Sequence, residues 1–329
     1  MFLSDAAINR LRDAVASPET GSDRYSIIEE IGRGGMGTVY LARDSVLGRE
    51  IAIKVPHASA AAGLEHRLQT EARTLASLEH PGIVPIHDAG RFADGRLFYV
   101  MKRVRGRTLR EHMETVDSIT ERLRVFERIC EPVAFAHARG FIHRDLKPDN
   151  VMIGAFGEVM VMDWGVAKEL ASTIMTEADS SAVVDGTTNP GTIIGTRGFM
   201  APEQARGSAG EIDARADVYG LGALLLLLLT GNTPPETHAA ASVETRRNVP
   251  KPLRAVCARA LAADPADRYP GVTELAADIA RYRAGEAVLA QRETLLDRAW
   301  RFGRTYRAAI LLVLAYVIMR ALVALFAGR

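Results

Sequence analysis

Cysteine is almost absent from this sequence. The chain has 329 residues and only two cysteines, Cys130 and Cys257, which lie far apart and form no C-x-x-C arrangement. This excludes a disulfide framework and a cysteine-based zinc site, and it suits a reducing compartment. A strong charge of one sign is also missing, because the formal net charge is only +1. No overall field therefore attracts nucleic acid, and we expect no nucleic-acid partner.

Long apolar runs are scarce as well. The leucine run at 224–229 lies in a stretch of only about a dozen apolar residues, which is too short to cross a bilayer and predicts a buried central helix. From 308 to 327 the sequence is apolar except for Arg320, and a helix of roughly 20 residues matches the thickness of a bilayer core. We therefore predict a transmembrane helix at 308–327. A helix that lies on the membrane or packs on a partner is the alternative.

A basic segment precedes this helix. We predict residues 286–307 as a juxtamembrane segment, which contains Arg298, Arg301, Arg304 and Arg307. An excess of arginine beside a transmembrane helix marks its cytoplasmic side. The predicted localisation is the cell inner membrane, crossed once, with the rest of the chain in the cytoplasm.

The rest of the chain divides into a β-rich part and a helical part. Residues 1–23 form a leader, in which apolar residues at helical spacing predict a short amphipathic helix. At about 24–104, β-branched runs alternate with turns and predict strands, with one main helical pattern at 61–78. At about 105–285 the pattern is mainly helical. The predicted fold class is α+β, with a small β-rich lobe and a larger α-helical lobe.

A glycine-rich pattern ends the first predicted strand. Gly32, Gly34 and Gly37 form G-x-G-x-x-G, and glycines let a turn lie close over phosphates and offer backbone N–H groups to them. Alone, the pattern fits a simple hairpin turn equally well. A dinucleotide-binding fold would need a helix here, whereas the following TVYLAR predicts a second strand.

Lys54 ends the apolar strand IAIK. A lysine in an apolar strand is costly unless its charge is paired, and nucleotide phosphates together with one carboxylate would pair it. Glu65 and Glu71 both lie on the next helical segment, about 240° apart around the helix, so they cannot share a face. We predict Glu71 as the partner, because Leu75 and Leu78 follow it on the packing side. A snorkelling lysine and a surface glutamate are the alternative.

The octapeptide HRDLKPDN at 143–150 decides among these alternatives. With it, the sequence resembles the protein kinase superfamily over about 25–282, and specifically the bacterial eukaryotic-like serine/threonine kinases. The resemblance implies a bilobal kinase fold, with Asp145 as the catalytic base, Lys147 at the γ-phosphate and Asn150 as a magnesium ligand. Phosphoryl transfer needs positioning and charge neutralisation, which a carboxylate, a lysine and an amide in one turn supply.

The resemblance also implies the nucleotide site. VMDWG stands where the family has D-F-G, so Asp163 is expected to chelate Mg²⁺, with Mn²⁺ as an alternative ion, and Trp164 replaces the usual phenylalanine. ATP is the implied cofactor, and core packing is the competing interpretation of each apolar position in its pocket. The residues expected to bind ATP are Ile31, Gly32, Gly34, Gly37, Val39, Ala52, Lys54, Met101, Val104 and Met152.

A basic cluster follows Met101. It consists of Lys102, Arg103, Arg105 and Arg107, where relatives often carry an acidic residue. Two interpretations stay open: the cluster is a solvated face, or it attracts an acidic partner.

The segment at 165–200 matches the family's activation segment, and its hydroxyl-bearing residues include Thr187, Thr188 and Thr192. Beyond it, the resemblance predicts a structural ion pair between Glu203 and Arg268, and it predicts that Asp217 holds the backbone of the catalytic loop.

The function implied is transfer of the γ-phosphoryl group of ATP to serine and threonine hydroxyls of proteins, with autophosphorylation in the activation segment. The implied partners are protein substrates and a second copy of the chain, as a homodimer for trans-autophosphorylation. A pseudokinase scaffold and a small-molecule kinase of related fold are the alternatives. Every catalytic position is filled, and Lys147 with the A-P-E sequence favours a polypeptide acceptor.

Overall fold

A computed structural model describes most of the chain between Arg24 and Ala327. The residues described are 24–34, 37–56, 78–92, 95–164, 197–206, 212–235, 239–244, 248–291 and 307–327. The predicted leader at 1–23 and nearly all of the helical segment predicted at 61–78 lie outside these residues.

Five antiparallel strands form the first sheet, in the order β1-β2-β3-β5-β4. They are β1 (Tyr25–Gly34), β2 (Gly37–Asp44), β3 (Arg49–Pro56), β4 (Ile86–Arg91) and β5 (Leu97–Lys102). The sequence predicts all of them except β4. The sequence of β4, IHDAGR, is poor in strand-forming residues, so this strand depends on its pairing with β5.

The two faces of this sheet differ in character. Across β2, β3 and β5, Val39, Lys54 and Tyr99 lie opposite one another. Ala52 and Met101 form the neighbouring pair and lie on the same face, because side chains alternate along a strand. The other face packs into a small core of Tyr25, Tyr40, Ala42, Ile51, Ile53, Val55, Phe92, Phe98 and Val100.

The larger lobe combines a small sheet with helices. The sheet consists of β6 (Gly106–Thr108), β7 (Val151–Gly154) and β8 (Val159–Val161). The helices are α1 (Leu109–Met113), α2 (Ile119–His137), α3 (Pro202–Ala205), α4 (Arg215–Thr230), α5 (Ala239–Glu244), α6 (Lys251–Ala260) and α7 (Val272–Ala284).

Helix α4 is the centre of this lobe. Its residues from Ala216 to Leu229 are all buried, and it packs against α2 and α6. The helix ends where Gly231 adopts a left-handed conformation with φ 73°, which glycine tolerates without strain. The prediction that the leucine run belongs to a buried central helix is confirmed.

The last described element is α8 (Arg307–Ala327), a helix of 21 residues. Its described side chains, at 310–320, are exposed. Within the described part of the chain, no helix combines the length and the apolar character that crossing a bilayer requires. The prediction of a transmembrane helix at 308–327 is therefore not confirmed.

Candidate active site

The catalytic-loop sequence at 143–150 lies between α2 and β7, and a buried carboxylate of α4 holds its backbone. Asp217 accepts hydrogen bonds from the backbone N–H of His143 (2.7 Å) and of Arg144 (2.8 Å). Arg144 is held in a left-handed conformation, with φ 64°. The ring of His137, at the end of α2, lies 2.7 Å from the same carboxylate. The predicted role of Asp217 is confirmed, whereas the sequence analysis missed His137.

His143 connects the catalytic loop to the segment that precedes Asp163. Its Nδ1 accepts the backbone N–H of Asp145 (3.2 Å), and its Nε2 lies 2.8 Å from the backbone carbonyl oxygen of Met162. One ring nitrogen accepts and the other donates, which is the pattern of a neutral imidazole. Burial lowers the pKa of His143, in agreement with the neutral form. His143 therefore fixes Asp145 relative to the chain that leads into Asp163.

The three predicted functional groups of the loop meet in one turn. The Lys147 ammonium lies 2.9 Å from the Asp145 carboxylate. The Asn150 amide donates to the backbone oxygen of Asp145 (2.8 Å) and to its carboxylate (3.1 Å). Asp145 is buried, so its carboxylate is held by the turn and does not rotate freely in solvent. The structure thus brings together a carboxylate, a cation and an amide, as the sequence predicts.

Lys54 of β3 meets Asp163, which follows β8. Their ammonium and carboxylate groups are 2.7 Å apart, and Lys54 is only 4% exposed. Burial by itself lowers the pKa of Lys54, but the neighbouring Tyr99 and Asp163 raise that pKa above its ordinary value overall. The predicted carboxylate partner, Glu71, lies outside the described residues. Tyr99 was missed, because only the strand register places it beside Lys54.

The backbone links the two predicted metal ligands, Asn150 and Asp163. The backbone N–H of Met162 donates to the Asn150 backbone oxygen at 2.8 Å, which sets Asp163, the next residue, beside Asn150. Amide and carboxylate oxygens suit Mg²⁺. Over the described ranges, no group of three or more His, Cys, Asp and Glu side chains could hold a metal alone. A cation at Asn150 and Asp163 would therefore need ligands from outside this pair, such as phosphate oxygens or water.

The predicted nucleotide-binding residues lie on or next to the strands β1, β2, β3, β5 and β7. Val39, Ala52 and Met101 share one face of the first sheet with Lys54. Met152 lies on β7, where it alternates with the buried Val151 and Ile153, and Val104 follows β5. Gly32 lies on β1, near the half-exposed Ile31. Gly34 and Gly37 pair with each other where β1 meets β2, so the glycine-rich pattern closes a hairpin.

Comparison with known proteins identifies the family. The protein kinase domain family matches residues 25–278, which is most of the chain. This chain belongs to the protein kinase family.

Curated relatives narrow the similarity to bacterial kinases. The serine/threonine-protein kinase PknD of Chlamydia caviae is 36% identical over 294 residues, covering 80% of this chain and 31% of the relative. PknD of Protochlamydia amoebophila is 35% identical over 323 residues, covering 85% of this chain and 32% of the relative. PknB of Mycolicibacterium smegmatis is 38% identical over 293 residues, covering 83% and 45%. The chain thus spans less than half the length of these relatives.

The kinase domain departs from the family's usual D-F-G at Trp164. The indole is buried, packs against the His143 ring with centroids 4.7 Å apart, and donates from Nε1 to the Val161 carbonyl oxygen at 3.2 Å. Phenylalanine could fill the space but has no N–H to donate. The tryptophan therefore ties the segment after β8 back to the strand by one additional hydrogen bond.

The basic cluster after Met101 finds an acidic partner within the same chain. Arg103 and Arg105 both form ion pairs with Glu50 of β3. Lys102 and Arg107 are exposed. The basic cluster is therefore linked to β3 through Arg103 and Arg105. This arrangement differs from both the solvated face and the external partner considered above.

The end of the activation segment is fixed by a buried ion pair. Arg268 and Glu203 form two hydrogen bonds, of 2.6 and 2.8 Å. Three backbone oxygens, of Ala262, Ala263 and Arg215, accept the remaining N–H groups of the guanidinium. The predicted structural pair is confirmed, and all five donors of Arg268 have partners.

Proposed function

We propose that this chain is a serine/threonine protein kinase, which transfers the γ-phosphoryl group of ATP to serine and threonine hydroxyls of protein substrates. The observation that carries the proposal is the turn in which Lys147 and Asn150 both contact Asp145. A protein hydroxyl beside Asp145 would lose its proton to this carboxylate. Lys147 would neutralise charge on the transferred group, since phosphoryl transfer depends on positioning and electrostatic stabilisation.

The nucleotide and a metal ion would occupy the space between the lobes. The adenine would lie against the apolar face that carries Val39, Ala52 and Met101, and Lys54 would contact the phosphates. Asn150 and Asp163 would hold Mg²⁺, or Mn²⁺ in its place, together with phosphate oxygens. The metal supplies charge neutralisation between the phosphates. The Lys54–Asp163 contact supports this arrangement, because it already brings the phosphate-binding and metal-binding groups together.

Phosphate transfer to a generic protein tests the function. The purified full chain, incubated with radiolabelled ATP, Mg²⁺ and myelin basic protein, should label serine and threonine in that acceptor. The label should disappear when EDTA removes the metal, because the phosphates then lose the charge neutralisation that phosphoryl transfer requires. Labelling of sugars or antibiotics without any labelling of protein would overturn the proposal, as would the absence of all transfer.

Autophosphorylation in trans is part of this proposal. A homodimer would present the activation segment of one copy, at 165–200, to the active site of the other, with Thr187, Thr188 and Thr192 as acceptor candidates. Mass-spectrometric mapping of the purified chain, before and after incubation with ATP, should reveal phosphate in this segment. Initial rates that rise more than proportionally with enzyme concentration would distinguish reaction in trans from reaction within one copy.

We also infer that α8 attaches the kinase to the cell inner membrane, with the kinase domain in the cytoplasm. Support comes from the apolar side chains at 310–320, which are exposed, with Leu312 at 72%. Exposed apolar area of this extent is costly in water and typical of an interaction surface. The arginines that precede the helix fit the cytoplasmic side of a membrane.

Vesicle flotation tests the attachment. The full chain should float with vesicles of phosphatidylethanolamine and phosphatidylglycerol and resist a carbonate wash. Leu314→Asp combined with Val317→Asp should leave most of the protein at the bottom of the gradient, because a charged side chain is costly in the hydrocarbon of a bilayer. Leu289→Asp is the matched control, since Leu289 is an exposed leucine outside the helix. Wild-type protein that stays soluble without detergent and does not float would contradict the inference.

A further inference from the structure

A tyrosine hydroxyl lies beside the nucleotide-binding lysine. Tyr99 of β5 and Lys54 of β3 are direct partners in the antiparallel register, so their side chains rise next to each other from the same face. Tyr99 raises the pKa of the Lys54 ammonium, and Lys54 acts to lower the pKa of the Tyr99 phenol, so the two groups interact electrostatically. The neighbouring pair on this face is Ala52 and Met101, which lines the expected adenine pocket. Tyr99 therefore borders the nucleotide site.

Lys54 requires more than one acceptor. Its ammonium has three N–H donors, and burial of such a charge is costly unless it is paired and hydrogen-bonded. Asp163 accepts one of these donors at 2.7 Å. The side chains directly opposite on the adjoining strands, Val39 on β2 for Lys54 and Ala89 on β4 for Tyr99, have no polar atom. Tyr99 is thus the residue with a polar side-chain group that the sheet places directly opposite Lys54.

The two acceptors differ in what happens when the nucleotide binds. Under the proposed function, Asp163 would hold the metal ion, so its interaction with Lys54 would be weaker when the nucleotide and the metal are bound. Tyr99 is fixed to the sheet and is neutral, because burial raises the pKa of its phenol. Its hydroxyl can therefore hold the Lys54 ammonium in place while Asp163 is a ligand of the metal ion.

We propose that Tyr99 is a positioning residue for the nucleotide: its hydroxyl oxygen accepts a hydrogen bond from Lys54 and holds the ammonium where the phosphates bind. This inference rests on the proposed function, and it assigns the phenol a role that hydrophobic packing does not require. A phenylalanine would fill the same space, so the hydroxyl alone distinguishes the two roles.

The test is Tyr99→Phe in the full chain. We expect kcat/KM for ATP to fall about ten-fold, the size expected for one hydrogen bond to a charged group. The KM for myelin basic protein and the melting temperature should not change. Tyr40→Phe is the matched control, because it removes a hydroxyl from the same sheet, but Tyr40 lies opposite Ile53, on the face of the small core. This control should keep the nucleotide parameters of the wild type.

A binding measurement shows whether Tyr99 acts through Lys54. Tyr99→Phe should raise the Kd of a fluorescent ADP analogue with Mg²⁺ in the wild-type background, and it should have no effect in the Lys54→Met background. An equal effect in both backgrounds would overturn the proposal, as would wild-type nucleotide parameters in Tyr99→Phe. If Tyr99→Phe lowers the melting temperature and weakens the kinetic parameters for ATP and for myelin basic protein in parallel, Tyr99 has a packing role. That result would also overturn the proposal. If the wild type transfers no phosphate, the proposed function fails. The Kd values of the ADP analogue in the two backgrounds still test whether Tyr99 acts through Lys54.

Discussion

Replacing Asp145 with asparagine should lower the rate of phosphate transfer by about 10²–10⁴-fold, the usual effect of losing a general base. Asparagine keeps the size of the side chain but cannot accept the proton of the substrate hydroxyl. It also removes the charge that Lys147 approaches at 2.9 Å, so the lysine loses its positioning partner. The measurement is the initial rate of label transfer to myelin basic protein at saturating ATP, together with phosphosite mapping of the kinase.

The loss should be confined to the chemical step. The sheet face that carries Lys54 and Ala52 is untouched by the substitution, so the affinity for a fluorescent ADP analogue should be preserved. Asp117→Asn makes the same chemical change at an exposed position outside the site and should keep the wild-type rate. Transfer by Asp145→Asn at the wild-type rate would show that Asp145 is not the base, and loss of ADP binding would indicate a folding defect.

Much of the site could be predicted because its residues are close in sequence. One octapeptide contains Asp145, Lys147 and Asn150, and the turn within it brings their side chains together. The buried character of α4 was also predictable, since a leucine run too short for a membrane is best accommodated in a core. In both cases local sequence pattern and three-dimensional environment agree.

Contacts that depend on strand register could not be predicted. Tyr99 and Lys54 are neighbours only because β3 and β5 pair in one particular register, and a shift by one residue would place the two side chains on opposite faces. The link from Arg103 to Glu50 depends on the same pairing of strands. The strand β4 was missed because its sequence has weak strand propensity, and its neighbour determines its conformation.

A buried ion pair far from the chemistry should dominate the stability of the kinase domain. Arg268 and Glu203 are 2% and 3% exposed, so the guanidinium has no access to water if its partner is lost. Burial tends to raise the pKa of Glu203, but the hydrogen bonds from Arg268 hold that pKa below its ordinary value. The carboxylate is therefore ionised at neutral pH, and the pair is charged on both sides.

Glu203→Gln should destabilise the domain by about 3–5 kcal/mol, because it leaves a buried arginine without its counter-charge. For a domain of this size, that corresponds to a fall in melting temperature on the order of 10 °C. Glu286→Gln, at an exposed glutamate, is the matched control and should melt like the wild type under the same conditions. Since the pKa of Glu203 is lowered by folding, its contribution is fully present above the unfolded pKa, near 4.5, and is lost as the pH falls through the folded pKa. The difference between the two proteins should therefore be largest at neutral pH and narrow on acidification below about pH 4.5. If Glu203→Gln and the wild type had equal melting temperatures at neutral pH, the prediction would be wrong. The hydrogen bonds from Arg268 to backbone oxygens would then be sufficient to hold this region.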